Sequence, residues 1–396
     1  MSTMTLTPQV VSIGVANPAM RIFDIVMHAE YGTTYNAYAV LGEHNVLIDT
    51  VHTGFFEEYL DNLRQVAPVE QFEYLVVNHT ELDHSGAIAR LLDLNPNLTI
   101  LCTAPAKKYL TTIINKPFQC RVVKHGETLP VGPGELRFVV APFLHWPDSM
   151  MTYLDTDRVL FSCDFLGAHF CEPQLLDTKV HYPDKYESCF RYYYDCIFGP
   201  FKPYVLAGLD KIEDLDLAMV CPSHGPMLTE RIDWARSCYR DWSAPADKPD
   251  KKQVLILYAA AYGCTRQLAE AAAEALKDDY DVTLMDMVTT PLSEVAGPIN
   301  ACDALLVGTN TINRDATPPV WATLSAIDAV NAGGKPAGVF GSFGWSGEAI
   351  GMVVQRLTGL RMKVVGEGYR VNFVPTEAEL EGMRAYAREV AAGIKG

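Results

Sequence analysis

His79-Thr80-Glu81-Leu82-Asp83-His84 follows directly on the apolar run Tyr74-Leu75-Val76-Val77, and this stretch decides how the chain is read. A short β-type run that ends in a polar turn is a strand delivering its next residues to one point in space. Here those residues are two imidazoles and two carboxylates. Imidazole alone suits zinc or copper, whereas a blend of imidazole and carboxylate also suits redox-active iron. On its own the stretch leaves hydrolytic zinc and redox iron both open.

The same grammar recurs downstream. His145 follows Val139-Val140-Ala141-Pro142-Phe143-Leu144, Asp164 follows Val159-Leu160-Phe161-Ser162-Cys163, and His224 follows Met219-Val220-Cys221-Pro222-Ser223. A single His after a strand is ordinarily structural, and a single Asp ordinarily a turn residue. Four strand ends carrying ligand-type residues point instead to one shared site.

The chain has 396 residues, more than one ordinary core accommodates, so two domains are expected. Hydrophobic residues make up 49% and charged residues 20%, the composition of a globular protein rather than a disordered one. A formal net charge of −16 argues against nucleic acid as a partner, because phosphate binding needs clustered Lys and Arg. No apolar run reaches the roughly 18 residues a membrane span requires. Met1-Ser2-Thr3-Met4-Thr5 lacks a basic segment followed by an apolar one, so a cytoplasmic location is expected. The ten cysteines contain no Cys-x-x-Cys pair, which removes zinc ribbons, thioredoxin-type sites and an appended rubredoxin-like iron site. They are expected to be reduced thiols.

Asp241 to Lys252, with two prolines and several charges, reads as a linker. Upstream, short β-type runs (Tyr38 to Leu41, Val46 to Ile48, Leu98 to Leu101, Phe138 to Val140) interleave with helical stretches such as Gly54 to Val66 and Ser85 to Leu94. The mixture predicts an α+β sandwich with helices covering stacked sheets. Downstream, strands at Val254 to Tyr258, Val282 to Met285, Ala304 to Gly308 and Pro336 to Gly341 alternate with helical segments such as Thr265 to Leu276. That alternation predicts an α/β, doubly wound parallel sheet.

His-x-Glu-x-Asp-His with the later His145, Asp164 and His224 resembles the metallo-β-lactamase-like domain of the flavodiiron proteins. Hydrolytic members of that superfamily carry His where Glu81 stands. Glu81, Asp83 and Asp164 supply three negative charges against two divalent cations, and a bridging hydroxide brings the set to neutrality. The resemblance implies an αββα sandwich over residues 1–245 and a flavodoxin-like domain over 251–396. It implies one iron on His79, Glu81 and His145, and the other on Asp83, His224 and His84, with Asp164 between them. In the family the residue at the His84 position can also point away from the metal. His169 matches a position beside the site. Tyr193, in Arg191-Tyr192-Tyr193-Tyr194, matches a pocket tyrosine that could donate a hydrogen bond to a bound ligand; a helix with aromatic core contacts is the equal alternative. Many members have a pocket histidine where this chain has Ile25, a departure that His28 partly compensates at most.

In the second domain, Ala260, Ala261, Tyr262, Gly263, Cys264 and Thr265 form a small-residue loop leading into a helix, where backbone N–H groups face a phosphate. Thr309, Asn310, Thr311 and Asn313 follow the third strand, and Ser342, Phe343, Gly344, Trp345 and Ser346 the fourth. By the resemblance these three loops hold FMN, with Trp345 on or beside the flavin ring or, alternatively, in a domain contact.

The implied activity is a flavodiiron oxidoreductase that reduces dioxygen to water, or nitric oxide to nitrous oxide and water, with electrons passed through FMN. A separate donor is expected: rubredoxin first, with reduced F420 or a flavin reductase as others. The resemblance also implies a head-to-tail homodimer or a dimer of dimers. Two competing classes stay open, a dizinc hydrolase fused to a flavodoxin-like domain and a non-catalytic flavin carrier or gas sensor.

Overall fold

The computed structural model describes residues 3–245 and 250–394. The chain divides into two compact units, Met1–Pro245 and Ala246–Gly396.

The first unit stacks two sheets. One has seven strands in the spatial order Met4–Thr5, Val10–Ser12, Tyr38–Val40, Asn45–Ile48, Phe72–Val76, Thr99–Cys102 and Gln119–Val122. The other has five, in sequence order from Thr128–Pro130 through Glu135–Val140, Met150–Leu154 and Val159–Cys163 to Met219–Pro222. Side chains alternate across a strand with a period of two, and the residues follow it. Leu47, Leu75 and Ile100 point to one face and pack with Tyr59, Leu63, Leu91 and Leu110 of the helices Phe56–Val66, Ile88–Leu94 and Ala104–Ile114. Val46, Ile48, Val76 and Leu101 point to the other face and meet Phe138, Met150, Leu154, Val159 and Phe161 of the second sheet. The second sheet's outer face carries Val139, Met151 and Leu160 against Phe190, Leu209 and Tyr239 of the helices Pro183–Tyr193, Lys202–Lys211 and Ile232–Ser243. Met150–Leu154 and Val159–Cys163 are buried at every position because both of their faces are covered. The result is helix, sheet, sheet, helix.

Three strands of the five-stranded sheet end in ligand-type loops and point the same way. Val159–Cys163 runs parallel to Met219–Pro222, and Glu135–Val140 lies two antiparallel steps from Val159–Cys163.

In the second unit the parallel strands lie in the order Asp281–Asp286, Gln253–Tyr258, Ala304–Gly308, Pro336–Phe343, Tyr369–Asn372, with Lys363–Val364 also pairing Pro336–Phe343. Helices cover both faces. Leu255, Leu257, Leu305 and Val307 pack with Val295, Val320 and Val353, while Val254, Ile256 and Leu306 pack with Leu268, Met383 and Val390. Strand order reverses between Gln253–Tyr258 and Ala304–Gly308, the crevice where doubly wound sheets bind ligands.

Three local readings change. The segment expected to begin a linker at Asp241 is still helical, because Ile232–Ser243 runs on through it. Tyr239 and Trp242 pack against Tyr194 edge-on and tilted, with ring centroids at 4.9 and 5.0 Å, and the Ser243 and Tyr194 hydroxyls share a 2.7 Å hydrogen bond, so packing on one face overrides the charges on the other. Residues 246–249 of that expected linker lie outside the described residues. The stretch Ser85 to Leu94 is broken at Gly86 and Ala87 into Leu82–Ser85 and Ile88–Leu94, so Asp83 and His84 sit on a helical turn. Gly54 to Val66 begins as a 3-10 turn at Thr53–Phe55 before the helix proper.

Candidate metal centre

The strand ends converge. His79 Nε2 lies 3.2 Å from Glu81 Oε2 and 3.9 Å from Asp164 Oδ2. His145 Nε2 lies 3.2 Å from the same Glu81 oxygen and 3.5 Å from Asp164 Oδ2. On the other side, His224 Nε2 is 3.1 Å from Asp83 Oδ2 and 3.4 Å from Asp164 Oδ1. His84 Nε2 is 3.3 Å from Asp83 Oδ1 and 3.2 Å from Asp164 Oδ1. Asp164 therefore turns one carboxylate oxygen to each group. Separations of this size are the edges of a coordination shell whose metal–ligand bonds are roughly 2.0–2.2 Å.

Part of the donor set is left without hydrogen bonds. Both oxygens of Asp83 and both ring nitrogens of His84 are buried without a hydrogen-bond partner. Buried polar atoms are nearly always paired, and an orphaned set facing one point fits a cation. His79 and His224 have their Nδ1 atoms engaged, His79 with Asp148 Oδ2 at 3.2 Å and His224 with the Thr34 carbonyl at 2.6 Å. The Thr34 carbonyl can only accept, so His224 Nδ1 carries a proton and Nε2 turns inward. Asp148 is itself fixed by the Thr80 backbone N–H and hydroxyl at 2.9 and 2.8 Å.

Electrostatics agree with the geometry. Burial alone would raise Asp164, yet His84, His145 and His224 hold it well below the usual carboxylate range. Burial would likewise raise Glu81, and hydrogen bonds from His145 and His79 keep it low. Burial would lower His79, but Asp148 and Glu81 push it up to about 10. Among the described residues the ion pairs of Glu81, Asp83 and Asp164 are all to histidine, so the positive charge that balances them is held on titratable rings and can be exchanged for a metal.

The backbone is bent to make this possible. Asp49, Phe143, Cys163 and Leu166 all adopt positive φ, between 55° and 66°. A non-glycine residue in that region costs about 1–3 kcal/mol, and such strain clusters at functional sites. Asp49 binds the Asn78 backbone N–H and side chain at 2.7 and 2.9 Å, bracing the residue before His79. Cys163 immediately precedes Asp164.

Tyr193 and His169 lie against the cage. The Tyr193 hydroxyl donates to Asp164 Oδ1 at 3.1 Å, so in this structure its partner is a cage carboxylate. His169 Nδ1 is 2.9 Å from the Thr33 hydroxyl, its Nε2 has no partner, and burial together with His224 lowers it to about 3, leaving it neutral. A turn of the π type, Tyr194–Phe198, follows Tyr193.

A cleft of about 560 Å³ reaches Glu81 and Asp83 past Phe23, Asp24, His52 and Trp146. Sequence reading missed these four, along with Thr33, Thr34, Asp49 and Asp148. The signal for Asp148 was its place three residues after His145. Nothing local marked Phe23 and Asp24, which a hairpin of Ile22–Phe23 and Met27–His28 carries to the site. Ile25 at the hairpin tip is 92% exposed, and His28 is exposed as well.

In the second unit the three predicted loops follow the carboxyl ends of Gln253–Tyr258, Ala304–Gly308 and Pro336–Phe343. The helix Cys264–Leu276 begins at Gly263 with φ 82° and no side-chain cap, and a Cβ on Gly263 would meet nothing within 4 Å. The space beside Gly263 is open and no side chain caps the helix start, an arrangement that leaves room for a phosphate. Thr265 is buried, with its hydroxyl 3.4 Å from the Ser342 backbone N–H. Thr309 is buried, while Ala261, Asn313 and Gly344 are exposed and Ala260, Cys264, Asn310, Thr311, Phe343 and Ser346 are intermediate. Tyr262 and Trp345 are 95% and 82% exposed, which suits rings that cover a planar ligand.

The chain matches two family models, one described as ODP family beta lactamase over residues 34–225 and one as flavodoxin over residues 256–385. It is 45% identical to the flavo-diiron protein FprA2 of Clostridium acetobutylicum, with all of both chains covered. It is 33% identical to the anaerobic nitric oxide reductase flavorubredoxin of Pectobacterium atrosepticum, covering 91% of this chain and 71% of that one. Among solved structures, rubredoxin oxygen:oxidoreductase from the anaerobe Desulfovibrio gigas superimposes with a TM-score of 0.69 at 29% identity, over 99% of this chain and 98% of the other.

Proposed function

The chain belongs to the flavodiiron protein family, and on that premise we propose that Glu81, His79 and His145 hold one iron, Asp83, His84 and His224 the other, and Asp164 both. The protein is an oxidoreductase that reduces dioxygen to water or nitric oxide to nitrous oxide and water, using FMN and a diiron centre. Residues 1–245 make up the diiron domain and residues 251–396 the FMN domain. The observation that carries the assignment is Asp164, whose two oxygens face two separate ligand groups.

When bound, the iron pair supplies open positions that bind and polarise the gas, and FMN supplies electrons one at a time. The side chains do the rest. The Thr34 carbonyl and Asp148 orient the His224 and His79 rings so that Nε2 points inward. Tyr193 holds its proton on the hydroxyl, since burial and Asp164 raise it well above the usual phenol range, and it keeps the Asp164 carboxylate oriented. Neutral His169 adds bulk without charge. Phe23 and Trp146 narrow the cleft and restrict water.

In the second unit, the N–H groups opening the helix Cys264–Leu276 would hold the FMN phosphate. Thr309 to Asn313 and Ser342 to Ser346 would line the flavin site, and the exposed Trp345 would pack on or beside the ring. A separate small redox protein of the rubredoxin type, or a reduced cofactor, supplies electrons in the cytoplasm. Two copies pair head-to-tail, so that one copy's flavin serves its partner's irons. Among the described residues, no helix is long and apolar enough to cross a membrane.

Metal analysis and the visible spectrum of the purified protein test this reading. Iron together with flavin absorbance is expected. A colourless, zinc-loaded protein that cleaves a thioester or phosphodiester would overturn it.

A further inference from the structure

On the seven-stranded sheet, Cys102 and Cys120 bring their sulfurs to 3.6 Å. They sit on neighbouring parallel strands, Thr99–Cys102 and Gln119–Val122, where Cys120 registers with Ile100 and Cys102 with Val122. A two-residue offset keeps both side chains on the same face, reaching toward each other along the diagonal. Cys102 is fully buried in the core beneath the helix Ala104–Ile114, and Cys120 is half-buried. Cys120 also opens on a surface cleft of about 520 Å³, lined by Lys107, Thr111, Lys116 and Phe118.

These are two different thiols. The Cys102 S–H can donate to Cys120, and this together with the field of Lys107 lowers Cys120 to about 7 against the opposing effect of burial. Cys102 is pushed up. Burial pushes Cys302 up to about 11, the ordinary fate of a core thiol. A partly exposed thiol with a lowered pKa, a second thiol behind it and a cleft in front is how a peroxide-reactive pair is built.

We propose that Cys120 and Cys102 form a modification site for hydroperoxides, with Cys120 attacking and Cys102 resolving. The Cys120 thiolate attacks one peroxide oxygen, the O–O bond breaks, and the departing hydroxide takes up a proton to leave as water. Cys120 is then a sulfenic acid. The Cys102 sulfur attacks the Cys120 sulfur, an S–S bond forms, the S–O bond breaks, and the second oxygen leaves as water with the Cys102 proton. Two thiols lose two electrons and one hydrogen peroxide becomes two waters. Closing the bond requires the strands to move together, because α-carbons on such a diagonal start at about 7–8 Å and a disulfide seldom spans more than about 7 Å. Gln119–Val122 can make that movement, since it is the last strand of its sheet and is hydrogen-bonded on one side only. The site is independent of the metal and flavin assignments.

The test uses the full-length protein with its cofactors. Hydrogen peroxide is added in aliquots until it persists, free thiols are blocked with N-ethylmaleimide, and unreduced peptides are mapped by mass spectrometry. The expected result is loss of maleimide labelling at Cys120 and appearance of a Cys102–Cys120 linked peptide, restored to two free thiols by dithiothreitol. In Cys102→Ser, or in Cys102→Ala should the serine be poorly tolerated, dimedone should trap Cys120 as the sulfenic acid. Cys120 still fully labelled in the presence of persistent peroxide, or no dimedone adduct in either Cys102 variant, would overturn the proposal.

Discussion

Replacing Asp164 with Ala removes the one carboxylate shared by both ligand groups. In the structure its oxygens lie 3.2 to 3.9 Å from four imidazole nitrogens, those of His79, His84, His145 and His224. The variant leaves Glu81 and Asp83 to balance two divalent cations in a buried site. Removing one partner from a buried charge cluster costs roughly 3–5 kcal/mol. At about 1.4 kcal/mol per tenfold, each ion should bind roughly 10²-fold to several thousand-fold more weakly. Plasma emission analysis after equilibration with a mild chelator should find iron lost from both positions together. FMN should remain, because its loops belong to the other compact unit, and its retention shows that the variant has folded. A variant that keeps its full iron complement through the same chelator treatment would refute the bridging role. Loss of only one iron would reduce Asp164 to an ordinary ligand.

Asp148→Asn weakens the hold on the His79 ring and should lower iron affinity about 10–100-fold, as loss of an outer-sphere partner typically does, measurable by chelator competition. Tyr193→Phe removes a hydrogen bond to a charged group worth about 1.5–3 kcal/mol. Iron should stay bound while turnover of oxygen or nitric oxide falls, and unchanged turnover would confine Tyr193 to packing. Trp345→Ala should change flavin occupancy or potential and leave iron content intact, which absorbance titration and metal analysis together will show. Thr376 caps the helix Glu377–Ala392 in a reciprocal box with Glu379, so Thr376→Ala should destabilise the second unit by about 1 kcal/mol, read from its melting transition with the iron content unaltered.

Much of this protein is legible in its sequence, and what is not has physical reasons. The strands announce themselves because their faces are buried: Val46, Leu47, Ile48 and Val76 leave no other reading. The strand-then-ligand grammar at His79, His145, Asp164 and His224 names residues that the fold does bring together, since a strand end is a fixed point whatever its partners. Phe23, Asp24, Thr33 and Thr34 were invisible for the converse reason. They reach the cage through a hairpin and long-range pairing, which no local pattern encodes. Ile25 looked like a pocket residue by position, yet the hairpin tip turns it outward. The linker start was misjudged because charges at Asp241 outvoted aromatic packing that only tertiary structure supplies.

Reduction of the gas at the diiron centre, with electrons that arrive through FMN, is open to a direct kinetic test. Anaerobic stopped-flow tests it most directly, mixing fully reduced protein with oxygen or with nitric oxide while following flavin reoxidation, in iron-loaded and iron-stripped samples. Rapid reoxidation with consumption of at least one gas is expected in the loaded protein, and reoxidation slowed by orders of magnitude in the stripped one. Equal rates in the two samples would place the chemistry on the flavin and contradict it.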